Sequence, residues 1–141
     1  MALYLDTSVL VTAFTREPET QRIQAWLGQQ DADQLSISDW VTAEFSSALS
    51  LKLRTGQIDS AMRSEALSRY RRLANETFTN LAIPSSAFRV AAGFVDQADI
   101  GLRAADALHL AIVLEYGAEL CTRDSRLAHA GPRLGIETQL I

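Results

Sequence analysis

The sequence has few of the residues that crosslink a chain or bind zinc. Its one cysteine, Cys121, allows no intrachain disulfide and suits a reducing compartment such as the cytoplasm. One cysteine and two widely spaced histidines, His109 and His129, cannot supply the four nitrogen and sulfur ligands of a structural zinc site. We therefore expect a protein that is stable without disulfides or zinc.

Long apolar runs are also missing. The longest, residues 107–114, contains a histidine and is far shorter than the roughly 20 residues that span a bilayer. The N-terminus has no basic segment ahead of an apolar one, so we expect no signal peptide. These absences predict a cytoplasmic protein with no membrane association.

Lysine is the scarcest basic residue. Lys52 is the only lysine among 13 basic residues, and all the others are arginines. The net charge of −4 argues against nucleic-acid binding by bulk positive charge. Arginine nonetheless offers a planar fork that suits phosphate, and divalent metals can neutralise carboxylates locally. Binding of a polyanion therefore stays open, beside a simple compositional bias.

The composition and pattern that are present favour an α/β protein. With 48% hydrophobic and 21% charged residues in a chain of 141, a single globular domain over 1–141 is expected. Short apolar segments predict strands at residues 2–5, 35–37, 79–83, 119–122 and 136–140. Helical patterns between them predict a short helix ending near residue 14 and helices at 19–29, 38–56, 59–76, from 85, 103–116 and 124–130. This alternation indicates a three-layer α/β/α architecture with a central, mostly parallel sheet. In the helix that starts at residue 85, we expect Phe88, Ala91, Ala92 and Val95 to face the core.

Two carboxylates follow predicted strands directly. Asp6 ends the first strand and precedes two hydroxyl residues, and Asp124 follows the strand that ends at residue 122. In open α/β sheets ligands bind beyond the carboxyl ends of the strands, so these acids would share one edge of the sheet. The alternative for each is a helix N-cap, a position that Asp commonly occupies.

Two further carboxylates lie in predicted helices. Glu44 borders the apolar stripe of its helix, and a buried unpaired carboxylate costs several kcal/mol. Lys52 is two turns away and a poor ion-pair partner, which makes a metal ligand at least as good an interpretation. Asp106 begins an apolar helix, where it could complement the helix dipole or face a site. For His109, one turn further on, we expect a hydrogen-bonded helix histidine and not an acid or ligand.

Four acids in this layout favour a divalent metal. Hard cations such as Mg²⁺ take oxygen ligands, and clustered carboxylates would otherwise repel one another. A bound metal also lowers the pKa of a water and stabilises charge on a phosphoryl group. The residues therefore indicate metal-assisted chemistry on a phosphate.

The flanks of these acids carry a family resemblance over nearly the whole chain. The chain resembles the PIN-domain ribonucleases, most closely the VapC-like toxins of bacterial type II toxin–antitoxin systems. The resemblance rests on Leu5-Asp6-Thr7-Ser8, on Glu44 in the helix opened by Ser38-Asp39, and on residues 102–111 and 120–124. The last two segments are the most specific.

This resemblance implies a compact α/β/α fold and Mg²⁺- or Mn²⁺-dependent endoribonuclease activity that leaves a 5′-phosphate and a 3′-hydroxyl. Asp6, Asp106 and Asp124 would hold the metal directly or through water, and Glu44 would be a ligand or orient the attacking water. The resemblance also implies a homodimer and a cognate antitoxin whose C-terminal segment fills a groove beside the active site, with residues 38–76 as one wall.

Further residues would support this centre. Three hydroxyl side chains would hydrogen-bond the carboxylates or a phosphate oxygen: Thr7, Ser8 and Thr122. Arg103 and Arg123 adjoin two of the acids, so they are candidates for phosphate contact or for structural partners of Glu44 or Asp6.

Two other functions compete with this one. The first is a PIN module that binds RNA or a partner without cutting. The second is phosphoryl transfer through an aspartyl phosphate at Asp6, which generally relies on a nearby lysine. The position of Lys52, near the end of its helix, counts against the second.

Overall fold

The computed structural model describes all 141 residues and contains one five-stranded sheet in the order β3-β2-β1-β4-β5. The strands are β1 (Leu3–Leu5), β2 (Leu35–Ser38), β3 (Thr79–Leu81), β4 (Glu119–Thr122) and β5 (Thr138–Leu140). The helices are α1 (Thr7–Phe14), α2 (Thr20–Gly28), α3 (Asp39–Arg54), α4 (Ser60–Glu76), α5 (Ser85–Asp96), α6 (Ala104–Tyr116) and α7 (Ser125–Arg133). A 3₁₀ turn, Ala32–Gln34, precedes β2.

All neighbouring strands are parallel, which confirms the predicted α/β architecture. Strand β1 is central and wholly buried, pairing Leu3 with Leu35 on one side and Leu5 with Cys121 on the other. The chain builds outward from β1 to β3 in one direction, then places β4 and β5 on the opposite side. Such a reversal opens a crevice at the carboxyl ends of the two strands that flank it, here β1 and β4.

The two edge strands are shorter than the sequence predicts. Strand β3 ends at Leu81 and not at residue 83, and β5 begins at Thr138 and not at residue 136. Each of these strands has a neighbour on one side only, so fewer ladder hydrogen bonds hold its ends in an extended conformation.

An aromatic cluster holds the helices of one layer together. Phe45 of α3 stacks on Tyr70 of α4 with ring centroids 4.3 Å apart, and Phe14 of α1 meets both rings edge-on. Offset-stacked and edge-to-face pairs are the favourable arrangements of aromatic rings. This cluster fixes α1 and α3, which are two of the helices whose residues approach the crevice.

The inward face of α5 differs from the sequence-based expectation. Phe88, expected to face the core, is 57% exposed, and Ala92 is exposed as well. The buried residues are Ala87 and Ala91, which present a small-residue surface where α5 packs against α6. None of the helices in the structure has both the length and the apolar character needed to span a bilayer.

Helix α7 continues past the predicted end at residue 130 and includes Pro132. A proline in a helix removes the hydrogen bond to the carbonyl four residues earlier. That carbonyl belongs to Ala128, and it accepts instead from the Thr138 hydroxyl of β5 at 2.6 Å. The same approach of α7 to β5 leaves no room for a side chain at Gly131, where a Cβ would lie 2.2 Å from Cγ2 of Thr138.

We predict that Gly131→Ala lowers the free energy of unfolding by about 1–3 kcal/mol, because the added methyl group overpacks this junction. Thr138→Ser removes the clashing Cγ2 and keeps the hydroxyl, so the double variant should recover most of the loss. Urea denaturation of the wild type, both single variants and the double variant measures this coupling. A loss in Gly131→Ala that Thr138→Ser leaves unchanged would contradict the assignment.

Candidate active site

Asp6 lies at the end of β1, on the crevice, and is 4% exposed. Its Oδ1 accepts hydrogen bonds from Ser8 Oγ at 2.5 Å and from the Val9 amide at 3.4 Å, and its Oδ2 accepts from Thr122 Oγ1 at 2.6 Å. Asp6 is therefore the N-cap of α1, as the alternative interpretation held, while it also stands at the strand end.

Two opposing effects act on the pKa of Asp6. Burial raises the pKa of Asp6, while the hydrogen bonds from Ser8 and Thr122 act in the opposite direction. No lysine or arginine contacts it. The donors fix the orientation of the carboxylate without neutralising its charge.

Asp124 stands two residues beyond the end of β4, and β4 is the strand next to β1. It caps α7, since its Oδ1 accepts from the amides of Arg126 at 2.9 Å and Leu127 at 3.3 Å. The hydroxyl of Thr122 accepts from the Asp124 amide at 3.0 Å and donates to Asp6. One threonine at the end of β4 thus connects the two strand-end acids.

Glu44 reaches this edge from α3, and its side chain is 26% exposed. Its Oε1 accepts from Thr7 Oγ1 at 2.7 Å and from Nε2 of His109, a residue of α6. Burial by itself would raise the pKa of Glu44, but the hydrogen bond and charge of His109, together with Thr7, lower it below its ordinary value. The buried partner of Glu44 is therefore a histidine, and Glu44 is ionised at neutral pH.

Asp106 differs from the other acids because it accepts no hydrogen bond from the protein. It lies in the first turn of α6 and is half-buried. Burial raises the pKa of Asp106, and the negative charge of Asp124 raises it further. Glu44 and Asp6 act in the same direction, so the other three carboxylates all lie near enough to repel Asp106.

A cavity of about 260 Å³ opens beside Asp106 and Asp124. Two arginines also line it, Arg103 at the start of α6 and Arg126 in the first turn of α7. Sequence reasoning singled out Arg103 but missed Arg126. The available signal was its place two residues after a capping aspartate, which keeps it at the same end of α7.

The placement of Arg123 overturns one expectation. Its Nη1 donates to Thr12 Oγ1 at 2.6 Å and lies 3.6 Å from Oε2 of Glu17. Lys52 contacts the other oxygen of Glu17 at 3.1 Å. The structural partner of Arg123 is thus Glu17, neither Glu44 nor Asp6, because the guanidinium extends along α1 away from the acids.

The four acids share one edge of the sheet, but they do not converge on one metal position. No three His, Cys, Asp or Glu side chains lie close enough together to hold one metal ion jointly. In this arrangement Asp6 and Glu44 are held by hydroxyls and a histidine, whereas Asp106 has no partner.

The chain belongs to the PIN domain family, whose model matches residues 3–131. The resemblance drawn from the four acidic segments is thereby confirmed at the level of the family. No curated protein matches the chain significantly in sequence.

Several solved structures share the fold. VapC20 of Mycobacterium tuberculosis, described as a toxin that cleaves the sarcin-ricin loop, is 15% identical with a TM-score of 0.73 over 92% of this chain and 95% of that one. VapBC2 of Rickettsia felis, bound to promoter DNA, is 15% identical with a TM-score of 0.69 over 100% and 99%. A toxin–antitoxin complex from Klebsiella pneumoniae is 22% identical with a TM-score of 0.64 over 100% of both chains.

We predict that Asp106→Asn stabilises the metal-free protein by about 0.5–1 kcal/mol, because it removes a repelling charge and breaks no hydrogen bond. Urea denaturation in EDTA at low salt measures the change, and added salt should shrink it by screening. The matched control is Asp96→Asn, an exposed aspartate at the end of α5. A less stable Asp106→Asn protein would show that the carboxylate has a structural partner.

Proposed function

We propose that this chain is a divalent-metal-dependent endoribonuclease and the toxin of a toxin–antitoxin pair. The observation that carries the proposal is the grouping of four carboxylates at one edge of a PIN-domain sheet. They come from four separate elements: Asp6 after β1, Glu44 in α3, Asp106 in α6 and Asp124 after β4. The described activity of VapC20 and the toxin–antitoxin systems among the similar structures support the same assignment.

The donor set fits Mg²⁺ or Mn²⁺, which prefer carboxylate oxygens. Within the protein, no donor reaches Oε2 of Glu44, Oδ2 of Asp124 or either oxygen of Asp106. Asp6, Asp106 and Asp124 would hold the ion directly or through water, and Glu44 would bind it or orient the attacking water. Because no three of these groups are within joint reach of one ion, water ligands or side-chain rotation would complete its binding.

When bound, the metal would lower the pKa of a water molecule and stabilise negative charge on the phosphate. The chain's own residues do the positioning. Ser8 and Thr122 hold Asp6, and Thr7 holds Glu44. Hydrolysis adds water across the P–O3′ bond of RNA and gives a 5′-phosphate and a 3′-hydroxyl.

Two arginines at the cavity suit the phosphate backbone. The guanidinium groups of Arg103 and Arg126 border the same space as Asp106 and Asp124. A planar guanidinium binds phosphate through two parallel hydrogen bonds. We assign these two side chains, and not Arg123, to phosphate contact.

The structure disfavours the aspartyl-phosphate alternative. The oxygens of Asp6 are occupied by protein donors, and Lys52 contacts Glu17 and Gln57 instead of Asp6. A nucleophilic aspartate needs an accessible oxygen and, generally, a neighbouring cation. An RNA cleavage assay distinguishes a nuclease from the other alternative, a PIN module that binds RNA without cutting.

We further propose a cytoplasmic homodimer that is neutralised by a cognate antitoxin. Support comes from the toxin–antitoxin systems among the similar structures. A groove of about 290 Å³ lies between α2 and α4. Helix α4 belongs to residues 38–76, the segment expected to form one wall of the antitoxin groove.

We predict that purified, antitoxin-free protein cleaves cellular RNA in Mg²⁺ or Mn²⁺ and that EDTA abolishes the cleavage. Asp6→Asn and Asp106→Asn should each lower the rate by more than about 100-fold, as expected for loss of a group that holds the metal. Sequencing of the cleaved ends identifies the target and tests for 5′-phosphates.

The control is Asp96→Asn, which should cleave as the wild type does. Folded wild-type protein that binds RNA and Mn²⁺ but does not cut would favour the binding module. A stable phosphoprotein that depends on Asp6 would favour phosphoryl transfer.

A further inference from the structure

A chain of buried and half-buried polar groups runs behind the candidate active site. It consists of Ser38, Tyr4, His109, Glu44 and Thr7, here called the buried polar chain. The Tyr4 hydroxyl lies 2.8 Å from Ser38 Oγ and 2.8 Å from His109 Nδ1. Nε2 of His109 contacts Oε1 of Glu44, which also accepts from Thr7. Tyr4 and Ser38 are wholly buried and His109 is 2% exposed, so water supplies no hydrogen bond to these three side chains.

The direction of these hydrogen bonds follows from the chemistry of the groups. An ionised carboxylate only accepts, so His109 donates from Nε2 to Glu44. In the neutral ring Nδ1 then accepts, and the Tyr4 hydroxyl donates to it. The Tyr4 oxygen in turn accepts from Ser38. Every side chain of the buried polar chain thus has a hydrogen-bond partner, and the imidazole is held at both nitrogens.

The buried polar chain joins three of the elements that carry acids. Tyr4 stands two residues before Asp6 on β1, and His109 stands three residues after Asp106 on α6. Glu44 itself belongs to α3. A second contact joins α3 to α6, since Nε1 of Trp40 donates to the carbonyl of Ala105 at 3.3 Å.

We infer that His109 is a positioning residue: by holding Oε1 of Glu44 from behind, it directs Oε2 toward the other acids and sets the separation of α3 from α6 and β1. This inference rests on the proposed function and adds to it a residue that touches neither metal nor RNA. Without the His109 donor, Thr7 alone would hold Glu44, and the carboxylate could rotate about its terminal bonds.

Two amide substitutions test the roles of the two ring nitrogens of His109 separately. In His109→Gln the amide nitrogen extends about as far as Nε2 and keeps a donor for Glu44. In His109→Asn it extends only about as far as Nδ1, near Tyr4, and Glu44 loses its donor. Both variants place a neutral amide at the same buried position, so each is a control for the other.

We expect His109→Gln to keep Mn²⁺ affinity and cleavage rate within a few-fold of the wild type. His109→Asn should lose about 10–100-fold in both, the range typical of groups that orient metal ligands. Urea denaturation of both variants shows whether the losses follow stability. If His109→Asn does not fold, Tyr4→Phe replaces it, with an expected loss of under about tenfold because Glu44 keeps its donor.

Nuclear magnetic resonance of the metal-free protein supplies a readout independent of activity. Imidazole nitrogen shifts of the wild type should show the proton on Nε2 of His109. The carboxylate carbon of Glu44 should keep its wild-type shift in His109→Gln and change in His109→Asn.

An Nε2 without a proton, or a His109→Asn variant with wild-type Mn²⁺ affinity and Glu44 shift, would overturn the positioning role. Losses in both variants that follow their stability would overturn it as well. Failure of the proposed function looks different: the wild type would not cut RNA, while the Nε2 proton and the Glu44 shifts would still report the contact.

Discussion

Repulsion between like charges is the constraint on which this structure depends. Four carboxylates stand at one edge of a parallel sheet. Burial raises the pKa of Asp106, and the charges of the other three raise it further. Two cations, Lys52 and Arg123, contact Glu17 and none of these four acids. Hydroxyls, amides and one histidine hold the acids instead. The site thus keeps negative charge that a bound cation would relieve, which is a stability cost typical of functional sites.

The sheet order decides where that charge collects. Because β1 is flanked by β2 and β4, the chain reverses direction across the sheet at the ends of β1 and β4. Thr122 then connects the two strand-end acids, donating to Asp6 and accepting from the amide of Asp124. The N-cap and site interpretations of these aspartates are therefore compatible, since each side chain caps a helix with one oxygen and stands at the crevice.

Much of the fold and the four acids could be predicted from local pattern. Alternating strands and helices predicted the parallel sheet, and strand-end position alone singled out Asp6 and Asp124. The errors share one cause. Phe88 was expected inside and is exposed. Arg123 was a candidate for phosphate contact or for pairing with Glu44 or Asp6, and it contacts Glu17. Helix α7 extends beyond its predicted end, where a hydroxyl of β5 replaces a helix hydrogen bond. Each depends on a neighbour that is distant along the chain.

The sequence by itself determined the order of the elements, the family and the four candidate acids, because periodicity, capping residues and strand-end carboxylates are local features. Only the tertiary structure decided what each side chain meets. His109 showed itself in the sequence as a histidine on an apolar helix, but its partners come from β1 and α3. Hydrogen bonds and charges act through space, and the packing of the sheet and helices sets which groups come within their reach.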